Sequence, residues 1–234
     1  LVVLLLPRGL CRIEVVAQKT GTDNAAIIEA VMAAASPEVL QVMPSPSGAV
    51  EAIITRYPCA AVGLDSDMAY ERLDLRDTAT GALVVVTDRL IACGGLGAYG
   101  LAITRWTEDE RYLYFSDGRE GTPDGAAALY EPLWRAAAAD GRVEALANGR
   151  ISPNGAWVVL WGQDSITLLP LSADLIAGRR FELAPDALSL TELVWLPDSS
   201  GVVYFQTDNV NLPLTSAVTL LDVATGVQRV LLGG

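Results

Sequence analysis

Apolar and polar positions alternate along this chain in short runs separated by turn residues. The pattern is clearest between Arg150 and Leu183. Ile151-Ser152-Pro153-Asn154-Gly155 opens that stretch with a tight-turn signal, in which proline presets φ and glycine accepts φ > 0. Trp157 to Trp161 follows as an apolar run, the pattern of a strand covered on both faces. After the break at Gly162–Ser165 comes Ile166–Leu171, and after Gly178 comes Arg179–Leu183. Turn and strand in this order describe a small antiparallel sheet. Near the start of the chain, Ile27, Ile28, Val31, Met32 and Ala35 share one face at helical spacing. A short helix is therefore expected over residues 23–35, capped by Asp23 and stopped by Pro37.

From Val39 onward the pattern repeats. Ser45-Pro46-Ser47-Gly48 precedes the run Ala49–Arg56, and Trp106-Thr107-Glu108-Asp109 precedes Arg111–Ser116. Trp195-Leu196-Pro197-Asp198 precedes Val202–Thr207. With Pro46, Glu108, Pro153 and Pro197 as equivalent positions, the spacings are 62, 45 and 44 residues. Each unit carries a second turn, at Asp77–Gly81, Ala139–Gly141, Ala177-Gly178 and Asp222–Gly226. A last strand follows each of these turns, at Leu83–Thr87, Arg142–Leu146, Arg179–Leu183 and Val227–Leu232. A unit of about 45 residues with four short strands is what a propeller blade requires.

The Ser-Pro-x-Gly turn before an apolar strand, followed by a strand ending in Asp-x-x-x-Gly, resembles the TolB-type, WD-like β-propeller repeat. It is also similar to the propeller of prolyl-oligopeptidase-type peptidases. The second unit departs from the motif, with Thr107-Glu108-Asp109-Glu110 lacking both proline and glycine. The expected fold is all-β: four four-stranded antiparallel blades, at about 39–94, 95–149, 150–189 and 190–234, after an N-terminal segment 1–38 with its short helix. Four blades rarely close a ring, so the chain is expected to be part of a larger propeller. The resemblance implies an interaction scaffold, and its motif carries no catalytic residue.

Composition narrows the function. The net charge of -12 argues against nucleic acid, whose phosphates such a surface would repel. There is no histidine, which removes the usual general base and the commonest metal ligand. Cys11, Cys59 and Cys93 lack metal-ligand spacing. No cofactor or metal is expected, and no membrane span, since the apolar run Leu1–Leu6 is far too short. That run reads either as the tail of a secretory signal or as a short buried strand.

Both turn families fall on one rim of the blades. The variable loops gather on the other, at Tyr57–Ala69, Cys93–Gly100, Asp117–Ala128, Gly162–Ser165 and Asp208–Leu214. Long loops on a rigid scaffold are where binding resides. The candidate binding residues are Tyr57, Asp65, Asp67, Tyr99, Asp117, Glu120, Asp124, Asp208 and Asn211. Their acidity suits a hard cation or a basic partner, and it is also the composition of ordinary solvated loops. No segment has the carboxylate spacing of a calcium loop.

Two motifs mislead. Gly95-Leu96-Gly97-Ala98-Tyr99-Gly100 matches the dinucleotide pattern, but Leu101–Trp106 reads as strand where the mechanism needs a helix N-terminus. Those glycines better suit a bent loop where backbones approach closely. Ser152 has neither the flanking glycines of a nucleophile elbow nor a histidine to activate it. Trp106 and Trp195, at equivalent positions before the turn, are expected in the core between blades.

Cys59 and Cys93, on loops of the same rim, are expected to form a disulfide, with Cys11 unpaired. That pairing would imply an oxidising compartment. The expected function is a non-enzymatic, extracytoplasmic propeller that binds a protein or small-molecule ligand. The alternative is the propeller of a prolyl-oligopeptidase-like serine hydrolase whose catalytic domain lies outside this sequence.

Overall fold

The computed structural model describes residues 24–61, 67–93, 100–117, 132–162, 165–172, 177–183, 189–207 and 216–233. These residues form one helix, α1 (Ala25–Ala34), and fifteen strands. The first four strands are β1 (Glu38–Pro44), β2 (Val50–Ala60), β3 (Met68–Asp77) and β4 (Leu83–Ala92). Next come β5 (Leu101–Trp106), β6 (Tyr112–Asp117), β7 (Pro132–Ala137), β8 (Val143–Ile151), β9 (Trp157–Trp161), β10 (Ser165–Pro170) and β11 (Arg179–Glu182). The last four are β12 (Ser189–Trp195), β13 (Gly201–Thr207), β14 (Ser216–Asp222) and β15 (Gln228–Gly233). The described residues are therefore mainly antiparallel β, with one short helix. Asp23 lies outside the described residues, and Asn24, before the helix, makes no side-chain cap bond.

The strands form three sheets, of four (β1–β4), seven (β5–β11) and four (β12–β15), each in sequence order. The seven-stranded sheet runs on through residues 149 and 150 because of β8. Its first half pairs with β7 (Val143 with Ala136, Ala145 with Trp134) and its second half with β9 (Gly149 with Leu160, Ile151 with Val158). One strand thus passes from one set of partners to the next. It turns at Ala147, whose φ of 80° is unusual for a residue with a Cβ.

The repeated turns are the strongest local determinant. Gly48, Glu110, Gly155 and Ser199 occupy the same place in four successive turns, and all have positive φ, at 76°, 59°, 71° and 63°. In each, that residue's N–H bonds the carbonyl three positions earlier, at Ser45, Thr107, Ser152 and Leu196. The second turn repeats as well, with Gly81, Gly141 and Gly226 at positive φ and bonded to Asp77, Ala137 and Asp222. A cross-turn bond ties the two families together in every unit: Thr78 to Ala49, Ala138 to Arg111, Leu171 to Ala156 and Val223 to Ser200.

The core lies between consecutive sets of strands. Ile54, Leu73 and Leu75 of the first sheet pack on Leu101, Ile103, Leu113 and Phe115. Val159, Trp161, Ile166 and Leu168 pack on Leu193, Val202, Tyr204 and Leu221. Trp106 and Trp195 are buried in these seams, and their indole N–H groups donate to Met43 O and Arg150 O, each at 3.1 Å. The Gln41 amide clasps the backbone of Ile103, donating to its carbonyl and accepting its N–H, both at 2.9 Å.

The first sheet extends further than the sequence pattern indicated. Tyr57–Ala60 belong to β2, Met68 and Ala69 to β3, and β4 runs to Ala92 rather than Thr87. Pro58 and Cys59 read as loop residues, yet a bulge between Tyr57 and Ala60 accommodates them without ending the strand.

Candidate functional site

The extension takes β2 and β3 into the stretch Tyr57–Ala69, which the sequence pattern gives as a variable loop. At its tip Ala60 pairs with Met68 and Met68 with Ala92, so β3 begins between the other two strands. Cys59 and Cys93 form a disulfide beside that end, with Cα atoms 6.1 Å apart, and the Cys93 N–H donates to Asp67 O at 2.8 Å. Two strands that are not neighbours in the sheet are thereby held together.

Beneath the staple lies a charged row. Arg56, Glu71 and Arg89 are directly opposed on β2, β3 and β4 and so share one face. Glu71 is fully buried. Its Oε1 accepts from Arg56 Nε at 2.6 Å, with a second Arg56 contact through Nη2. Its Oε2 accepts the Leu101 N–H at 2.8 Å, and Arg89 Nε lies 3.6 Å away. Gly100 lies directly over the carboxylate. A Cβ there would come within 2.6 Å of Oε2 and closer still to Oε1. Gly100, the last glycine of the dinucleotide-like motif, thus permits a close approach, and the strand β5 follows it.

The opposite face of the extension carries a second polar group. Arg72 Nε donates to Asp74 Oδ2 at 2.8 Å, and the Tyr70 hydroxyl donates to Asp88 at 2.9 Å. Burial raises the Asp74 carboxyl above the usual carboxylate range, against the lowering effect of Arg72. Burial, then the Asp88 hydrogen bond, pushes the Tyr70 hydroxyl well up. Tyr57 packs near Tyr70, with ring centroids 5.9 Å apart.

Of the residues expected to bind, Tyr57 sits on β2 rather than in a loop, Asp67 is exposed just before β3, and Asp117 ends β6. Asp65, Tyr99, Glu120, Asp124, Asp208 and Asn211 lie outside the described residues, as does Cys11. The Arg56–Glu71–Arg89 row is absent from that expected set. Its only sequence signal is the alternation Glu71, Leu73, Leu75 against Tyr70, Arg72, Asp74. Among the described residues no group of three or more histidine, cysteine or carboxylate side chains could hold a metal ion. No helix among them is long and apolar enough to cross a membrane.

No protein-family model matches this chain, and no curated protein does. Several solved structures do. TolB from Acinetobacter baumannii is 14% identical, with a TM-score of 0.33 over 84% of this chain and 44% of its own. The β-propeller domain of the Trilobed protease from Pyrococcus furiosus is 10% identical, with a TM-score of 0.38 over 84% of this chain and 57% of its own. Dipeptidyl peptidase 4 from Porphyromonas gingivalis is 9% identical, with a TM-score of 0.40 over 81% and 32%. TolB and peptidase propellers are the types that the turn-and-strand pattern resembles. This chain spans less than two thirds of each of these proteins, and at such identities the likeness says nothing of activity.

Proposed function

We propose that this chain is a non-enzymatic propeller module of four blades that binds a protein or small-molecule ligand through its loop rim, outside the cytoplasm. In this reading β8 serves two blades, as the last strand of the second and the first of the third. The supporting observation is the extension of β2 and β3 into the stretch Tyr57–Ala69, stapled by Cys59–Cys93 and braced by Arg56, Glu71 and Arg89. Rigid support of this kind is what a binding edge needs. The disulfide suits an oxidising compartment. The acidic rim residues Asp65, Asp67, Asp117, Glu120, Asp124 and Asp208 favour a partner with basic side chains.

The test is calorimetric titration with arginine- and lysine-rich peptides, comparing the native chain with one in which those six aspartates and glutamates become asparagine and glutamine. Salt-sensitive binding that the neutralised chain loses is the expected result. Equal binding by both chains would move the site off the rim. Hydrolysis of chromogenic peptide substrates by the purified chain would overturn the non-enzymatic reading.

A further inference from the structure

The far face of the first sheet has a place for a packing partner, and α1 fills it. Ile53, Phe115 and Tyr204 each stand five positions after the positive-φ residue of their turn, at Gly48, Glu110 and Ser199. Phe115 and Tyr204 are packed in the seams, against the set of strands that precedes their own. The near face of β2 and β3 already meets β5 and β6 through Ala52, Ile54, Leu73 and Leu75. The helix packs on β2 and β3, so it lies over their far face, where Ile53 stands. Val31 of α1 is fully buried, and Ile53 is nearly so. Around them Val39, Val42, Leu83 and Val85 of the same face are exposed, so the helix covers only its centre.

Asp74 lies in that covered centre. It is directly opposed to Ile53, the position that Trp134 holds opposite Phe115 and Thr219 holds opposite Tyr204. It is 2% exposed, and its Oδ2 accepts from Arg72 Nε at 2.8 Å. Its Oδ1 has no hydrogen-bond partner among the described residues. On β3 and β2 the neighbouring row of this face holds Arg76, which is committed to Glu51. On β4 Asp88 stands opposite Arg72 and accepts the Tyr70 hydroxyl. The one charged side chain of α1 is Glu29, which is exposed. Asp88 and Glu29 are acceptors and cannot supply the donor that Oδ1 lacks. An ionised carboxylate with a bare oxygen is costly to bury, and the neutral acid far less so. Burial accordingly raises the Asp74 carboxyl, against the lowering effect of Arg72.

The helix itself is lightly held. Of its ten residues only Val31 is buried, and Asn24 makes no side-chain cap bond. Its first turn has no acidic residue and its last turn no basic one, so nothing complements its dipole. Isolated helices shorter than about 12 residues are marginal in water, which leaves α1 dependent on the contact beneath it. The covered state holds the Asp74 proton more tightly than an uncovered one would. Seating is therefore favoured at low pH and opposed as pH rises through the covered-state value.

We propose that α1 is a releasable cover on the far face of the first sheet, seated while Asp74 is protonated and released when Asp74 ionises. Methionine methyl NMR on the whole chain tests it, with Met32 of α1 as reporter and Met43, packed against the core, as reference. Val31→Glu supplies the signal of the released helix. Between about pH 4.5 and 7.5 the released fraction of the native chain should rise about tenfold, with Met43 unmoved. Asp74→Asn should stay seated throughout. A Met32 signal that ignores pH, an Asp74→Asn chain that still follows it, or a Met43 signal that moves in step with Met32 would each overturn the proposal.

Discussion

The Glu110 carboxylate holds the preceding turn through Ser47, accepting its hydroxyl at 2.7 Å and its backbone N–H, and also accepting the Ser45 hydroxyl at 3.1 Å. The same relay recurs two units later, where the Ser199 hydroxyl accepts the Asn154 N–H at 3.0 Å. Ser47 and Asn154 are equivalent turn positions, as are Glu110 and Ser199. A side chain at the positive-φ position of one turn thus receives the turn before it. Between them, Gly155 carries no side chain, and the Arg105 guanidinium fills the space its Cβ would take.

This relay explains why Glu110 tolerates a φ that glycine would accept without strain. Glu110→Gly relieves the backbone but removes the bonds to Ser45 and Ser47. Glu110→Gln keeps an acceptor. Calorimetric melting at neutral pH should rank native and Glu110→Gln together, with Glu110→Gly lower. A Glu110→Gly protein that melts higher than native would mean that the backbone strain outweighs the bonds.

The turn carboxylates also set the response to acid. Hydrogen bonds from Thr80 to Asp77, from Thr225 to Asp222 and from Ser47 to Glu110 hold all three below the usual carboxylate range. A carboxyl depressed in the folded state contributes stability that is present above its unfolded pKa of about 4 and is lost as pH falls through the folded value. Asp74, raised by burial, works with the opposite sign, because the folded chain holds its proton more tightly. Urea midpoints should therefore fall as pH drops below about 4. Replacing Asp77 and Asp222 together by asparagine, which keeps the accepting oxygen, should flatten that slope. An unchanged slope would assign the acid response to other groups.

Gly100 and Glu71 should be energetically coupled. Glu71→Ala leaves Arg56 and Arg89 without their shared carboxylate and should cost about 3–5 kcal/mol, the range for breaking a buried ion pair. Gly100→Ala forces a methyl group against the carboxylate and should cost about 1–3 kcal/mol. With Glu71 already truncated, the added methyl has room. The double variant should then be less destabilised than the two single costs combined, by about 1 kcal/mol. Additive costs in chemical denaturation would show that Gly100 is needed for its backbone alone.

How far the sequence announced this structure depends on the kind of interaction. The turn positions were legible because proline presets a negative φ and glycine accepts a positive one, and Pro46 with Gly48 and Pro153 with Gly155 stand in phase. The strand passage at β8 was not, because Ala147 adopts positive φ without any composition signal. The length of β2 was hidden by Pro58 and Cys59, which a bulge absorbs. The Arg56–Glu71–Arg89 row was invisible because its members are 15 and 18 positions apart in sequence and meet only through strand register.

The disulfide offers the sharpest separation between local and global stability. Cys59 and Cys93 enclose a separation of 34 residues. In the chain-entropy account, opening it should cost on the order of 3–4 kcal/mol. The structural consequence should stay near the tip, because the staple clamps β2 to β4 across the start of β3. Beyond it, Ile54 pairs with Leu73 and Ala52 with Leu75 inside the buried seam, where the apolar core holds the ladder without help. Replacing both cysteines by alanine should lower the melting temperature. It should also speed hydrogen exchange at the Cys93 amide, which donates to Asp67, while the amides of Leu73 and Leu75 change only in step with global stability. Peptide mapping without reductant should recover Cys59 and Cys93 in one linked fragment. Free thiols at both positions in protein folded under oxidising conditions, or a melting temperature unmoved by the double replacement, would remove the staple from the account of how this rim is held.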